Sequence, residues 1–287
     1  MSKEKLRIAI QKAGRLNEDS LKILKDAEIS IDNGKEQLKA TSSNFPLEVL
    51  YLRNGDIPQY LRDGVVDIAF LGENVLEEKG DDIIKAEKLG FSKCRVSIAV
   101  PKSVKYNGIQ DLQGKRIATS YPNTLNSFLD KNGIKAELHI INGSVEIAPN
   151  IGLADAICDI VSSGNTLFKN NLKEVEVMMK SEAVLAVAPN ISKERQVILK
   201  NLQFRLQSVL NARTSKYILL NAPDSKLKEI IKLLPGMRSP TVLPLAEEGW
   251  SSIHTVINED KFWEIISELK ELGAEGILVA PIEKMVL

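Results

Sequence analysis

An acidic residue in an apolar run, followed within a few positions by small hydroxyl residues and a glycine, can hold a phosphorylated sugar. The run here is Gly152-Leu153-Ala154-Asp155-Ala156-Ile157-Cys158-Asp159-Ile160-Val161, and it opens into Ser162-Ser163-Gly164-Asn165-Thr166-Leu167. Small residues after a strand and before a helix let backbone N–H groups converge on an anion, and the helix start adds positive potential. Ser163, Asn165 and Thr166 can add side-chain donors. An acid repels a phosphate, so Asp159 suits the neighbour of a phosphate instead. A vicinal diol fits, because both its hydroxyls can donate to one carboxylate. With Asp159 four positions before Ser163, the pair fits a ribose 5-phosphate. An ordinary strand-to-helix turn with a capping Ser or Thr has the same composition, so this stretch alone leaves both readings open.

Three other strand-to-loop edges carry candidate groups. Lys12-Ala13-Gly14-Arg15 places two cations around a glycine at the end of the first strand, where open α/β sheets bind ligands. They could neutralise a diphosphate or triphosphate, or be solvated surface charges. Asp67 to Asn74, with Glu73 at its end, is the second edge. Thr119-Ser120-Tyr121-Pro122-Asn123-Thr124 is the third, with hydroxyls and an aromatic ring that could stack on a base. GxGxxG, Walker A, HExxH and GxSxG motifs are absent.

The elements that must position these groups alternate. Strands are expected at Leu6 to Ile10, Leu47 to Leu52, Val65 to Leu71, Val96 to Val100, Arg116 to Thr119, Leu138 to Ile141 and Ile157 to Val161. Val175 to Met179 and Ala183 to Val187 follow, read either as two strands or as one long hinge-crossing stretch. The runs at 65–71 and 96–100 read as strands buried on both faces of a parallel sheet. A helix is expected from Asn17, with Asn17 as its cap and Leu16 and Leu21 as a hydrophobic staple. A long helix begins near Ser192, with Ile198, Leu202, Leu206, Val209 and Leu210 on one face. Beyond a boundary at Ala212 to Lys216 the texture changes to strand, helix (Ser225 to Leu234, closed by Pro235-Gly236), two strands, helix and strand. This is the ferredoxin-like βαββαβ order.

Composition narrows the function. Lys plus Arg and Asp plus Glu both number 38 in 287 residues, so the net charge is zero. A chain that coats nucleic acid or an anionic membrane needs a basic excess, so neither partner is expected. With 44% hydrophobic and 26% charged residues the chain folds. Two cysteines, Cys94 and Cys158, cannot form a disulfide framework, and both read as buried thiols in a reducing compartment. Two histidines, His139 and His254, are poor raw material for a zinc site or a Ser-His-Asp triad. Met1-Ser2-Lys3-Glu4-Lys5 leads into a strand without a signal-peptide core, and no stretch reaches 18 uninterrupted apolar residues. A cytoplasmic protein is expected, and length alone suggests about two domains.

Together these stretches resemble the ATP phosphoribosyltransferase family, long form. The matching segments are QKAGRL (11–16), DGVVDIAFLGENVLEE (63–78), GKRIATSYPN (114–123), NGSVEIAPNIGLADAICDIVSSGNTL (142–167), SKYILLNAP (215–223), SPTVLPL (239–245) and LGAEGILVAPIEKM (272–285). The resemblance implies two periplasmic-binding-protein-like lobes with the active site in the cleft between them. Lobe I would be 1–97 with 181–213 and lobe II 98–180, followed by an ACT-like regulatory domain at 214–287. It implies condensation of ATP with 5-phosphoribosyl 1-diphosphate to N1-(5-phosphoribosyl)-ATP and pyrophosphate, with Mg²⁺ held mainly by substrate phosphates. Asp159 would hold the ribose hydroxyls, and Ser162, Ser163, Gly164, Asn165 and Thr166 the 5-phosphate, with Asp155 supporting that loop. Lys12 and Arg15 would face the diphosphate or triphosphate. Tyr121 and Glu73 would line the ATP side, and Glu146 would touch ribose or metal. Asn221, Ser239, Thr241 and Gly276 would lie near an inhibitory L-histidine, in a homo-hexamer in equilibrium with a dimer. Asn221 stands where some members have Asp.

Overall fold

A computed structural model describes residues 4–32, 38–80, 82–234 and 236–287. Met1 to Lys3 and Pro235 lie outside them. The chain forms two compact units. One comprises 1–25 and 29–199, the other 26–28 and 200–287.

The first unit holds two mixed sheets. The strands and helices in chain order are β1 (Leu6–Gln11), α1 (Arg15–Asp26), β2 (Lys39–Thr41), β3 (Leu47–Leu52), α2 (Ile57–Arg62), β4 (Ile68–Gly72), α3 (Glu73–Lys79) and β5 (Ile84–Lys88). Then come β6 (Cys94–Pro101), β7 (Arg116–Thr119), α4 (Pro122–Lys131), β8 (Glu137–Ile140), β9 (Ala156–Val161), α5 (Asn165–Lys169), β10 (Leu172–Ser181) and β11 (Ala183–Val187). One sheet has six strands in the order β2-β3-β1-β4-β11-β5, the other five in the order β10-β6-β9-β7-β8. In the first, β1 runs parallel to β3 on one side and β4 on the other. In the second, β7 runs parallel to β8 and β9. Each sheet therefore reverses its winding beside its central parallel strand, and ligands bind outside the carboxyl ends of strands at such points.

Three expectations need correction. The strand at 94–101 is buried as expected but antiparallel to both neighbours, β10 and β9. An apolar run reports burial on two faces and not strand direction. The first helix begins at Arg15, two residues before Asn17, so Asn17 is no cap. Its side-chain amide donates to the Gln11 carbonyl at 2.7 Å and ties the helix to the end of β1. The fourth strand also starts late, at Ile68, because the Val65 and Val66 amides bond the Tyr60 carbonyl and close α2.

The six-stranded sheet packs Ala9, Leu71, Val184 and Ala186 against Ile57, Leu61 and Val75. The five-stranded sheet buries Val96, Ile98, Ile117 and Cys158 against Leu125 and Leu129 of α4. Asp67, only 4% exposed, accepts from the Arg7 amide at 2.7 Å and from Arg195 at 2.8 Å, so its buried charge is paired.

α6 (Lys193–Arg213) continues into the second unit. There follow β12 (Ser215–Pro223), α7 (Leu227–Leu233), β13 (Thr241–Pro244), β14 (Trp250–Asn258), α8 (Glu259–Glu271) and β15 (Glu275–Pro281). The sheet order is β13-β14-β12-β15, all antiparallel, which is the ferredoxin-like arrangement. Ile218, Leu220 and Ile253 pack on Ile230, Phe262 and Leu269 of the two helices.

Candidate active site

The loops after β1, β3, β4, β7 and β9 carry the candidate residues. Lys12 and Arg15 follow β1, both exposed. Gly14 between them has φ +87°, a left-handed conformation that lets the chain turn from strand into helix without strain. Arg53 follows β3, whose Leu52 is level with Gln11 of β1, so a third exposed cation stands at the same sheet edge as Lys12. The rule that singled out Lys12 after its strand applies equally to Arg53. Glu73 begins α3 directly after β4, is 8% exposed, and pairs with Lys85 at 2.5 Å and Lys88 at 3.5 Å. The two lysines hold its carboxyl below the ordinary glutamate range against the opposing effect of burial, which is the largest single influence.

The five-stranded sheet supplies the other side. β9 ends at Val161, and the chain turns through Ser162, Ser163 and Gly164 into α5. Gly164 has φ +81° at the cap position. The Asn165 amide bonds the Ser163 hydroxyl at 3.4 Å, and Ser162, Ser163, Asn165 and Thr166 are exposed. An arginine that the sequence reading did not single out fixes this loop. Arg95 grips Glu174 with two bonds of 2.5 Å and donates to the Ser162 carbonyl at 3.1 Å. Arg15 reaches from the other sheet to the Ser162 hydroxyl at 3.3 Å. Arg15 and the small-residue loop are therefore adjacent.

Asp159 sits on β9 just before that loop. It accepts from the Ile160 amide at 2.8 Å and, weakly, from the Ser120 hydroxyl at 3.5 Å. Burial, and then the nearby Glu146 carboxylate, push its carboxyl up to about 6. Tyr121 precedes α4, and its hydroxyl accepts from Asn74 at 3.0 Å. Burial first, and then Asp159, push the phenol far above its ordinary range, so it stays protonated. Thus Asp159, Glu146, Tyr121, Ser162 to Thr166 and Arg15 converge. A cavity of about 520 Å³ adjoins them, lined by Glu73, Lys88, Lys93, Arg95, Ser162 and Lys180 among others.

Asp155 does not join them. It precedes β9, seven positions before Ser162 and roughly 20 Å away at ~3.3 Å per residue. Its carboxylate is held by Arg116 at 2.8 Å and by the Arg116 amide at 3.0 Å, which draws it down to about 2. It therefore closes the opposite end of the sheet. The four residues expected near histidine also fall into two places. A Cβ on Gly276 would lie 3.4 Å from the Asn221 amide, so those two are neighbours. Ser239 and Thr241 line a separate cavity of about 290 Å³ with Tyr217 and His254. Thr241 pairs with His254 on β14, which pairs with Leu219 on β12, so Thr241 is two strands over from β12 and level with Leu219 rather than Asn221.

Among the described residues no three His, Cys, Asp or Glu side chains form a metal-binding cluster. Asp159 with Glu146 offers the one or two carboxylates that suffice for a hard divalent ion carried mainly by substrate phosphates. No helix among the described residues is long and apolar enough to cross a membrane.

Two sheets with facing switch points, an acid before a loop of small residues that opens a helix, and cations at both edges fit a phosphoribosyl-transferring enzyme on a bilobal scaffold. The comparisons agree. The sequence profile "ATP phosphoribosyltransferase" matches residues 53–208, and "HisG, C-terminal domain" matches 212–284. The ATP phosphoribosyltransferase of Cytophaga hutchinsonii is 58% identical over 281 residues, covering 98% of both chains. That of Phocaeicola vulgatus is 57% identical over 282 residues, 98% of this chain and all of the relative. The ATP phosphoribosyl transferase (HisG:HisZ) complex from Thermotoga maritima superposes with a TM-score of 0.61 at 30% identity, over 72% of this chain and 98% of that one. A histidine kinase sensor domain with similarity to periplasmic binding proteins superposes at 0.50 with 13% identity, over 74% of this chain and 92% of that one, which shows the fold alone. The chain belongs to the ATP phosphoribosyltransferase family. It is the enzyme of the first step of histidine biosynthesis, with ATP and 5-phosphoribosyl 1-diphosphate as substrates, and the family uses a divalent metal ion.

Proposed function

We propose how the residues divide this reaction. Asp159 accepts hydrogen bonds from the ribose 2- and 3-hydroxyls, and Ser162 to Thr166 cradle the 5-phosphate at the start of α5. Lys12 and Arg15 face the diphosphate or triphosphate. Tyr121 and Glu73 line the ATP side, and Glu146 lies beside ribose or metal. The observation that supports this most is the Arg15 contact with Ser162, which joins a cation of one sheet to the cradle of the other.

The chemistry needs little acid–base machinery. N1 of adenine attacks through a lone pair, without deprotonation. The leaving pyrophosphate is already an anion, and positive charge develops at C1 of the ribose. We assign no catalytic base. Catalysis rests on positioning and on charges aimed at the developing oxocarbenium ion and the leaving group, and orientation alone can supply ~7–11 kcal/mol. We take the divalent ion to be Mg²⁺, which when bound on the diphosphate neutralises leaving-group charge.

We assign lobe I to 1–97 with 181–213, lobe II to 98–180 and a regulatory domain to 214–287, inhibited by L-histidine in a hexamer that exchanges with a dimer, in the cytoplasm. Exposed Leu243 and Leu278 on the β12 to β15 sheet support an oligomer. A test follows phosphoribosyl-ATP by its ultraviolet absorbance with both substrates and Mg²⁺, with and without histidine. Activity in wild type that is unaltered by Asp159→Asn and by Thr166→Ala would overturn the site assignment. Indifference to histidine would overturn the regulatory one.

A further inference from the structure

We propose that Glu78 is a positioning residue for the transfer reaction, a carboxylate beside the six-stranded sheet that caps a helix of the five-stranded sheet and fixes how the two halves of the site face each other. α4 starts with Pro122, and its cap position is Tyr121, whose side chain makes no cap hydrogen bond. The first N–H groups of a helix have no partner inside it, and Ser, Thr, Asp or Asn at the cap ordinarily satisfies one of them. Tyrosine cannot. Glu78 does so from another element. Its Oε1 accepts from the Asn123 amide at 3.0 Å, and its Oε2 accepts from the Thr124 amide at 2.9 Å and the Thr124 hydroxyl at 2.8 Å. The Glu78 carbonyl accepts from the Asn123 side chain at 2.9 Å. The residue is 5% exposed, and the positive end of α4 favours its charge.

This contact is coupled to the site at both ends. Glu78 lies on α3, which begins with Glu73 and Asn74 at the edge of β4. The turn it caps holds Ser120, which donates to Asp159, and Tyr121, which accepts from Asn74. Bilobal binding folds close by hinge motion. Here four hydrogen bonds clamp the halves next to the strands that join them, since α3 begins with the Asn74 amide bonded to the Ser181 hydroxyl at 3.0 Å, where β10 ends opposite Cys94 of β6. Lys12, Arg15 and Glu73 are on one half, and Asp159 with Ser162 to Thr166 on the other. Slackening the clamp leaves each set intact and spoils their alignment, which acts on turnover more than on binding.

The experiment rests on the site assignment above and uses the full chain. Glu78→Ala should lower kcat at least tenfold while KM for 5-phosphoribosyl 1-diphosphate stays within about twofold, because its cradle lies on one half. Glu78→Gln, which keeps one acceptor oxygen, should fall between the two. Hydrogen exchange should quicken at Asn123 and Thr124 and not in β9. A folded Glu78→Ala with wild-type kcat overturns the proposal, and so does a loss carried by KM alone. If Glu78→Ala does not fold, Glu78→Gln decides, since wild-type kcat with unchanged exchange at Asn123 overturns the proposal. Asp159→Asn serves as the control. If it too is silent, the site assignment has failed, whereas an impaired Asp159→Asn beside a normal Glu78→Ala overturns the clamp alone.

Discussion

Replacing Asp159 by Asn should make the protein more stable and less active at once. The Asp159 carboxyl stands at about 6 against an ordinary 3.8, chiefly through burial and secondly through Glu146. Between these values the folded chain holds a proton that the unfolded chain has released, so stability falls as pH rises through the window. Above pH 6 the full penalty applies. About two pKa units at 1.36 kcal/mol each is about 3 kcal/mol. Residual solvent around the carboxylate reduces this, so about 1–3 kcal/mol is the expected gain. Asn carries no charge and can still accept from the Ile160 amide. Thermal unfolding at pH 8 should therefore rise by about 2–6 °C, and the difference should vanish near pH 4. In the same protein kcat/KM for 5-phosphoribosyl 1-diphosphate should fall at least tenfold, since a hydrogen bond to a charged group is worth ~1.5–3 kcal/mol. An unchanged or lowered unfolding temperature at pH 8 would refute the burial argument, and unchanged kinetics would remove Asp159 from the site.

Asp155→Asn should leave kcat and KM within twofold, because Asp155 serves Arg116 at the far end of β9. Its carboxyl is drawn down to about 2 by Arg116, so its stabilisation is present above pH 4 and fades as pH falls toward 2. The pair is 40% exposed on both sides, so a loss of no more than about 1 kcal/mol is expected in thermal unfolding at pH 7. A large kinetic defect would return Asp155 to the site. Arg15→Ala should cost at least tenfold in turnover and little stability, since its side chain is 66% exposed and its partners are Ser162 and Asp19. Titration calorimetry of the full chain should detect L-histidine, and Ser239→Ala should weaken it. Equal binding by wild type and variant would exclude the Ser239 cavity.

What the sequence made legible follows from the range of each signal. β1, β3, β9 and β11 could be read because buried strands are apolar over several residues. The small-residue loop after Val161 was legible because its backbone task restricts residue type locally. β5, Ile84–Lys88, went unseen because an exposed edge strand with two lysines and a glutamate has no apolar signature. Asp155 and Asp159 look alike in the chain. Strand geometry separates them by a strand's length, and only the partner Arg116, 39 residues upstream, shows what Asp155 does. Arg95 and Glu78 were illegible for the same reason. Each acts on a loop whose contact with it depends on the fold, and nothing in their own neighbourhoods marks them.

Two acids at the site, buried Glu78 and partly buried Asp159, differ in how many donors they have. Glu78 and Asp159 both lie within or beside the same β-to-α turns, and an ionised carboxylate offers roughly four acceptor positions. Glu78 has three donors within 3.0 Å from one helix start, two on one oxygen and one on the other. Among the described residues Asp159 has one good donor, the Ile160 amide, and one at the limit of bonding length, both on the same oxygen. A partly buried carboxylate loses part of its hydration, and burial penalises charge that hydrogen bonds do not compensate. The raised proton affinity of Asp159 is that cost in another form. Two hydroxyls of a bound ribose would supply the missing donors and lower it. Substrate binding at a pH near 6 should therefore release protons, measurable as a buffer-dependent heat in calorimetry with 5-phosphoribosyl 1-diphosphate. Binding that is independent of buffer ionisation heat at that pH would show that the diol does not reach Asp159.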